Sequence, residues 1–157
     1  MRLSPDNDAN PARELSDRPK FNVVIIYEDR ATGKRGKYFY ENLVQELKGK
    51  CDFNPELWNF QVLGIPEIGN SAARVAAQAD FVILSLHGKA GLPAEIREWI
   101  ETWARLIADS NAALIALVDK FQTRDGTAAC TVAYLRSVAK RAGIDFFTHT
   151  FFCRSTN

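Results

Sequence analysis

Short apolar runs typical of buried β-strands alternate along this chain with segments of helical periodicity. The runs Phe21–Tyr27, Phe81–Leu86 and Ala112–Val118 are rich in β-branched and large aliphatic residues, as in strands covered on both faces. The segments Leu57–Leu63 and Ile144–Phe152 have strand character with polar residues mixed in. Because parallel neighbours in a sheet need helical crossovers, strands that alternate with helical segments predict an α/β fold with a parallel sheet.

The distribution of polar residues among the five strands predicts their order in the sheet. The first, third and fourth strands are apolar throughout, whereas the second and fifth carry polar side chains. Edge strands tolerate that mixture and central parallel strands do not. The order 2-1-3-4-5 of the flavodoxin-like fold satisfies this condition, and the order 3-2-1-4-5 would bury the polar second strand. We therefore predict a three-layer sandwich with a five-stranded parallel sheet in flavodoxin-like order.

The helical segments of the pattern fall between the predicted strands. They are Tyr38–Leu47, Ile68–Ala79, Pro93–Asp109 and Thr127–Ala142. The segment Arg30–Lys37 contains two glycines and four basic residues, and we predict that it is a loop between the first strand and the first helix.

Length and charge limit the class of protein. A chain of 157 residues with 46% hydrophobic residues suits one domain, since single cores are comfortable at roughly 100–200 residues. We predict a flexible polar tail over residues 1–20 and a single domain over residues 21–157. A formal net charge of +1 provides no overall field for nucleic acid or an anionic membrane, so neither partner is expected.

The number of cysteines and the length of the apolar runs indicate the cellular compartment of the protein. Cys51, Cys130 and Cys153 are an odd number without a CxxC motif, which indicates reduced thiols rather than a disulfide framework. The segment Met1–Lys20 lacks the apolar stretch of a signal peptide, and every apolar run is shorter than the ~20 residues of a membrane helix. We expect a cytoplasmic protein.

Candidate site residues follow from the strand order. Ligands of such sheets bind outside the carboxyl ends of the strands, at the switch point between the first and third strands. The residues delivered there are Tyr27, Glu28, Asp29, Ser85, His87, Gly88, Asp119 and Lys120. Thr148 and His149 of the fifth strand are predicted nearby.

This layout resembles the receiver domains of bacterial two-component signalling, and the whole chain resembles small stand-alone bacterial proteins of this shape. A receiver has an acidic pair after its first strand, where this chain has Glu28 and Asp29, and the resemblance implies that these carboxylates hold Mg²⁺. A receiver also needs a phospho-acceptor aspartate after its third strand, where this chain has Ser85 and His87. We therefore expect a receiver-like signalling or interaction module without the phospho-acceptor, with a protein partner or a second copy as its ligand.

Two alternatives remain open at this point. The first is a nucleotide- or FMN-binding domain, because basic side chains beside a helix N-terminus form anion sites. Its candidate residues are Thr32, Gly33, Lys34, Gly36 and Lys37. They fail the P-loop pattern, and Lys89–Leu92 offers no aromatic side chain to a flavin. No cofactor is expected, with Mg²⁺ or a phosphate-bearing ligand as the alternatives.

The second alternative is an enzyme that cleaves an N-glycosidic bond. The run Phe21–Asp29 is similar to the opening strand of TIR domains, which, like nucleoside deoxyribosyltransferases, place a catalytic glutamate on the helix after the third strand of their core. That resemblance implies a catalytic role for Glu95 or Glu98, although acidic residues are favoured near a helix N-terminus in any case. The cysteine–tryptophan pattern of TIR domains is missing, and we lean towards a non-enzymatic role.

Overall fold

Strands and helices alternate through the part of the chain that the computed structural model describes. That part comprises residues 19–47, 49–88, 91–107, 111–120 and 127–152, with only the backbone described for Lys120, Thr127, Ala128 and Phe152. The elements are β1 (Lys20–Tyr27), α1 (Arg30–Glu46), β2 (Asp52–Asn59), α2 (Phe60–Leu63), α3 (Pro66–Ala77), β3 (Phe81–Ser85), α4 (Ala94–Leu106), β4 (Ala113–Lys120), α5 (Thr127–Ala142) and β5 (Asp145–Phe152).

The strands form one parallel sheet in the order β2-β1-β3-β4-β5, so the predicted flavodoxin-like order is confirmed. The apolar strands β1, β3 and β4 are central, and the two strands with polar residues lie at the edges. In this register Tyr27 pairs with Ser85, and Ser85 pairs with Leu117. The carboxyl ends of the three central strands therefore meet at one edge of the sheet.

Each central strand supplies side chains to two cores. Val23 and Ile25 of β1 face a smaller core under α1, and Val24 and Ile26 face a larger core that includes residues of α2, α3, α4 and α5. All four side chains are at most 1% exposed. Burial on both faces explains why these strands have apolar sequences without alternation.

The predicted position of the second strand was wrong. We predicted Leu57–Leu63, whereas the strand is Asp52–Asn59 and Phe60–Leu63 is a short helix. The side-chain oxygen of Asn59 accepts a hydrogen bond from the backbone nitrogen of Gln61 at 2.8 Å, which caps this helix and ends the strand. Phe60 and Leu63 are both buried by the turn.

The predicted loop Arg30–Lys37 was also wrong, because this segment is the beginning of α1. Asp29 caps the helix: its carboxylate accepts a hydrogen bond from the backbone nitrogen of Thr32, and the Thr32 hydroxyl accepts one from the backbone nitrogen of Asp29. The glycines allow close packing, since a Cβ atom on Gly33 would lie 2.9 Å from the Tyr27 ring and one on Gly36 would lie 2.9 Å from Ile25. The hydrogen bonds of the Asp29 cap and the close packing of the two glycines on β1 together stabilise the helix by more than the low helix propensity of glycine destabilises it.

Other predictions differ from the structure only at element ends or fall on undescribed residues. Helices α3 and α4 end two and three residues before the predicted limits, at Ala77 and Leu106. Residues 1–18 of the predicted tail, residues 89–90 and Cys153 lie outside the described residues, as does most of the turn predicted before α5. No helix in the described ranges is both long and apolar enough to cross a membrane.

Candidate functional site

His87 is the centre of a cluster of charged side chains at the switch point. It follows β3 by two residues and precedes Gly88, whose φ of +83° lets the chain turn away. The His87 Nδ1 atom lies 2.7 Å from Asp119 Oδ2, and Nε2 lies 2.8 Å from Asp29 Oδ2. Because an ionised carboxylate only accepts hydrogen bonds, both contacts are satisfied together when the imidazole carries two protons.

The surroundings of His87 favour its charged form. Partial burial, the largest influence, lowers the pKa of His87, but hydrogen bonds and charge from Asp119 and Asp29 together raise it above its ordinary value. Asp29 shows the reciprocal effect. Burial, again the largest influence, raises the pKa of Asp29, yet hydrogen bonds from the Thr32 backbone and from His87, with the His87 charge, lower it overall.

Arg35 of α1 contacts the cluster through hydrogen bonds from its guanidinium group. Its Nη1 atom donates to Asp119 Oδ1, and its Nη2 atom donates to the carbonyl oxygens of Leu86 and Leu117 at 2.7 and 3.0 Å. The side chains of Arg35 and Asp119 are 15% and 5% exposed. The guanidinium also lies over the Phe151 ring, 4.9 Å from its centroid. This one residue therefore connects α1 with the ends of β3, β4 and β5.

Backbone contacts fix the remaining acidic residue of the site. The Glu28 carboxylate accepts a hydrogen bond from the His87 backbone nitrogen at 2.9 Å. The Glu28 backbone nitrogen lies 3.2 Å from the Ser85 carbonyl oxygen and 3.0 Å from the Thr32 hydroxyl. The buried Ser85 hydroxyl accepts a longer contact of 3.4 Å from Arg35 Nε. We call Glu28, Asp29, Arg35, His87 and Asp119 the switch-point network.

The structure thus brings together Glu28, Asp29, Ser85, His87 and Asp119, and it adds Arg35, which our sequence analysis missed as a site residue. Arg35 lies within the segment 30–37 that the sequence predicted as a loop. If the helix is started at Asp29, the spacing of Thr32, Arg35, Gly36 and Phe39 would have placed Arg35 on the inner face.

Other predicted site residues lie outside the network. Tyr27 packs on Gly33, and only the backbone of Lys120 is described. Thr148 and His149 do not end the fifth strand, which runs on to Phe152. His149 pairs with Leu117, below the strand ends, and its ring contacts Phe39 and Phe151.

The two carboxylates expected to hold Mg²⁺ make hydrogen bonds within the protein. The Glu28 carboxylate accepts from His87, and the Asp29 carboxylate caps α1 and contacts the imidazole. Among the described residues, no group of three or more His, Cys, Asp or Glu side chains is arranged to hold a metal ion.

A flavin does not fit the switch point either. The Thr32–Gly33 step lies inside a capped helix with the Thr32 hydroxyl already bonded, rather than in an open phosphate loop. Arg35 and Asp119 fill the position above the central strands. The five anion candidates do not form one site. Thr32, Gly33 and Gly36 are buried, whereas Lys34 and Lys37 are exposed and, with Gly33, line a depression on the side of α1 that faces β2.

The two candidate glutamates of the enzyme hypothesis lie in a separate groove. Glu95 and Glu98 are exposed on α4 and line a groove of about 220 Å³ with Asn70 and Trp99. The Trp99 indole nitrogen donates to the Gly69 carbonyl oxygen at 2.9 Å. No titratable side chain of the switch-point network lines this groove.

Comparison with solved structures shows the fold. The chain is similar to a flavodoxin from Streptococcus pneumoniae TIGR4, with a TM-score of 0.57, 12% identity and coverage of 87% of this chain and 86% of that one. It is also similar to the Trp repressor binding protein from Bacillus subtilis, with a TM-score of 0.56, 12% identity and coverage of 84% and 85%. No protein-family profile and no curated protein matches the sequence. At this identity the likeness shows a flavodoxin-like fold and nothing finer.

Proposed function

We propose that the protein is a receiver-like signalling or interaction module in which a charged network takes the place of a phosphorylation site. The observation that carries this proposal is the position of His87, which lies at the end of β3 and is held between Asp29 and Asp119. A receiver has its phospho-acceptor carboxylate at this place.

The bonding of the network supports a binding role over phosphoryl transfer. Ser85 is fully buried, and both nitrogens of His87 are engaged by carboxylates. Asp119 is 5% exposed and is paired with Arg35. A nucleophile must reach the phosphorus atom with a free electron pair, and none of these three side chains at the ends of β3 and β4 offers one without breaking the network.

Incubation with acetyl phosphate and Mg²⁺, followed by intact-mass measurement, tests the absence of a phospho-acceptor. We expect no stable adduct of one phosphoryl group, while a conventional receiver domain treated in parallel gains it. A stoichiometric phosphoryl adduct on this chain would contradict the proposal, and peptide mapping would identify the acceptor.

The partner proposed for this module is a second copy of the chain that docks on the outer edge of β5. Within the described sheet β5 pairs only with β4, so one row of its backbone groups has no strand beside it. Phe147 on this strand is 56% exposed. An open edge with a large apolar side chain favours association.

Sedimentation analysis of the wild type, Phe147→Glu and the control Ile65→Glu tests this interface. Ile65 is 45% exposed and lies away from β5, between α2 and α3. We expect a dimer that Phe147→Glu dissociates and Ile65→Glu preserves. A monomeric wild type, or equal dissociation by both variants, would contradict docking at β5.

The alternative function is cleavage of an N-glycosidic bond, and its candidate site is the groove beside α4. Glu95 and Glu98 are exposed there, and their carboxylates have no hydrogen-bonding or ionic partner among the described residues. Incubation with NAD and with nucleosides, read by chromatography, is expected to show no release of the base. Release that Glu95→Gln or Glu98→Gln abolishes would replace the proposed function with this one.

A further inference from the structure

We propose that the depression between α1 and β2 binds the phosphate group of a mononucleotide. This basic depression has a volume of about 410 Å³, within the range of small-molecule sites. Its lining residues are Tyr27, Arg30, Gly33, Lys34, Lys37, Leu57 and Asn59. The inference goes beyond the proposed interaction role and does not depend on it.

The basic depression is distinct from the switch-point network. It lies on the β2 side of β1, between the ends of β1 and β2 and the flank of α1, whereas His87 and Asp119 belong to the ends of β3 and β4. Arg30, Lys34 and Lys37 follow one another at helical spacings of four and three residues, so they form one row along α1. The neighbouring Asp29 carboxylate is engaged by the helix cap and by His87.

Within the described ranges, the charge of the basic depression has no acidic partner. Arg30, Lys34 and Lys37 are exposed, and none of them pairs with an acidic side chain among the residues that the structure describes. No acidic residue of the described part of the chain lines the depression. Because like charges four residues apart on a helix repel, a bound dianion would relieve a repulsion that the free protein carries. The overall charge of +1 shows that this concentration of positive charge is local.

The floor of the basic depression suits the remainder of a nucleotide. Leu57 is 45% exposed there, and Tyr27 contributes part of its ring. Asn59 accepts a hydrogen bond from Gln61 through its side-chain oxygen, which leaves the amide nitrogen to donate to a ligand. Three cations beside an apolar floor and one amide donor match a phosphate attached to a ring system better than they match a free ion.

The binding proposed here comes from side chains and not from the N-terminus of α1. The Asp29 carboxylate occupies the cap, and the Thr32 side chain is turned inward. An anion is therefore held by flexible lysine and arginine side chains at an open surface. We expect weak, salt-dependent affinity.

Titration of the ¹⁵N-labelled protein with AMP, FMN, adenosine and inorganic phosphate, followed by NMR, tests the proposal. We expect AMP to shift the backbone signals of the lining residues and adenosine to leave them unchanged. Lys34→Gln should weaken AMP binding about tenfold, the loss of one charged hydrogen bond. The matched control Lys140→Gln removes an exposed lysine from α5 and should leave the affinity unchanged.

Each contrary result has a defined meaning. Equal binding of AMP and adenosine would contradict recognition of the phosphate, and inorganic phosphate binding as tightly as AMP would contradict the nucleotide assignment. Shifts that map to the switch-point network with FMN alone would place the site elsewhere. Equal weakening by Lys34→Gln and Lys140→Gln, or no shift with any of the four compounds, would overturn the proposal.

Discussion

Arg35 makes hydrogen bonds to three acceptor groups at the carboxyl edge of the sheet. Its guanidinium bonds to the Asp119 carboxylate and to two backbone carbonyl oxygens, which belong to Leu86 and Leu117. Because the Asp119 carboxylate is 5% exposed, its charge has little access to water and needs the pairing. Lysine at this position would supply a charge without the planar fork that reaches all three acceptors.

We predict that Arg35→Met lowers the free energy of unfolding by about 3–5 kcal/mol, the range for removing one partner of a buried ion pair. Arg74→Met is the control, because Arg74 is exposed on α3 and has no ionic partner in the described chain. It should change stability by less than about 0.5 kcal/mol. Urea unfolding of both variants measures the difference, and equal effects would contradict the role given to Arg35.

Stability should depend on pH through His87. Glu28, Asp29 and Asp119 face it, and Arg35 reaches it through Asp119. The folded state raises the pKa of His87 above its ordinary value of 6.5, so its stabilisation is complete below pH 6.5 and is lost as pH rises through the folded pKa. The pKa of Asp29 is lowered from 3.8, so its contribution is present above pH 3.8 and is lost as pH falls through the folded value.

We therefore predict that the wild type loses more stability than His87→Gln between about pH 6 and about pH 9. Urea unfolding at both pH values gives the comparison, and the variant corrects for other groups that titrate in this range. A loss of equal size in the two proteins would show that His87 is not held in its charged form.

At the level of elements, the junction between α2 and α3 depends on one glycine. A Cβ atom on Gly69 would lie 2.4 Å from the Leu63 carbonyl oxygen, a distance that backbone atoms cannot accommodate without movement. The Gly69 backbone nitrogen donates to the carbonyl oxygen of the N-cap residue Ile65 at 2.7 Å, so Gly69 belongs to the first turn of α3. Close approach, rather than an unusual backbone angle, requires glycine here.

We predict that Gly69→Ala destabilises the protein by about 1–3 kcal/mol, the usual cost of overpacking. Gly64→Ala is the matched control, because its Cβ atom would meet the nearest backbone atom at an ordinary 3.5 Å and its φ is −74°. That variant should be neutral or slightly stabilising. Thermal unfolding distinguishes the two, and a neutral Gly69→Ala would show that the helices can separate freely.

The element boundaries show where sequence reasoning succeeds and where tertiary contacts decide. Pro93 and the apolar stripe of α4 predicted that helix closely, because the pattern is strong and local. The start of α1 was missed, because Gly33 and Gly36 weaken the helical pattern and their packing on β1 is visible only in the fold. The pairing of β2 with β1 begins at Asp52. The first half of this strand was not predicted, because its polar residues and Pro55 are unusual in a strand.

At the level of the whole molecule, the strand order could be predicted because burial selects the composition of each strand. That order in turn predicted which residues meet at the switch point, and Glu28, Asp29, Ser85, His87 and Asp119 do lie together there. The partners of each side chain could not be predicted, since they depend on ångström-scale positions of loop residues and on a helix that begins earlier than its sequence indicates.

The central claim is that the order of the sheet brings residues 29, 87 and 119 together and holds a charged imidazole between two carboxylates. NMR titration of the His87 ring nitrogens tests it most directly, with His87→Gln to assign the signals. We predict a pKa above 6.5 in the wild type, protonation of both nitrogens below that pKa, and a fall in the pKa when Asp119 is replaced by Asn. A pKa at or below 6.5 that Asp119→Asn leaves unchanged would contradict it.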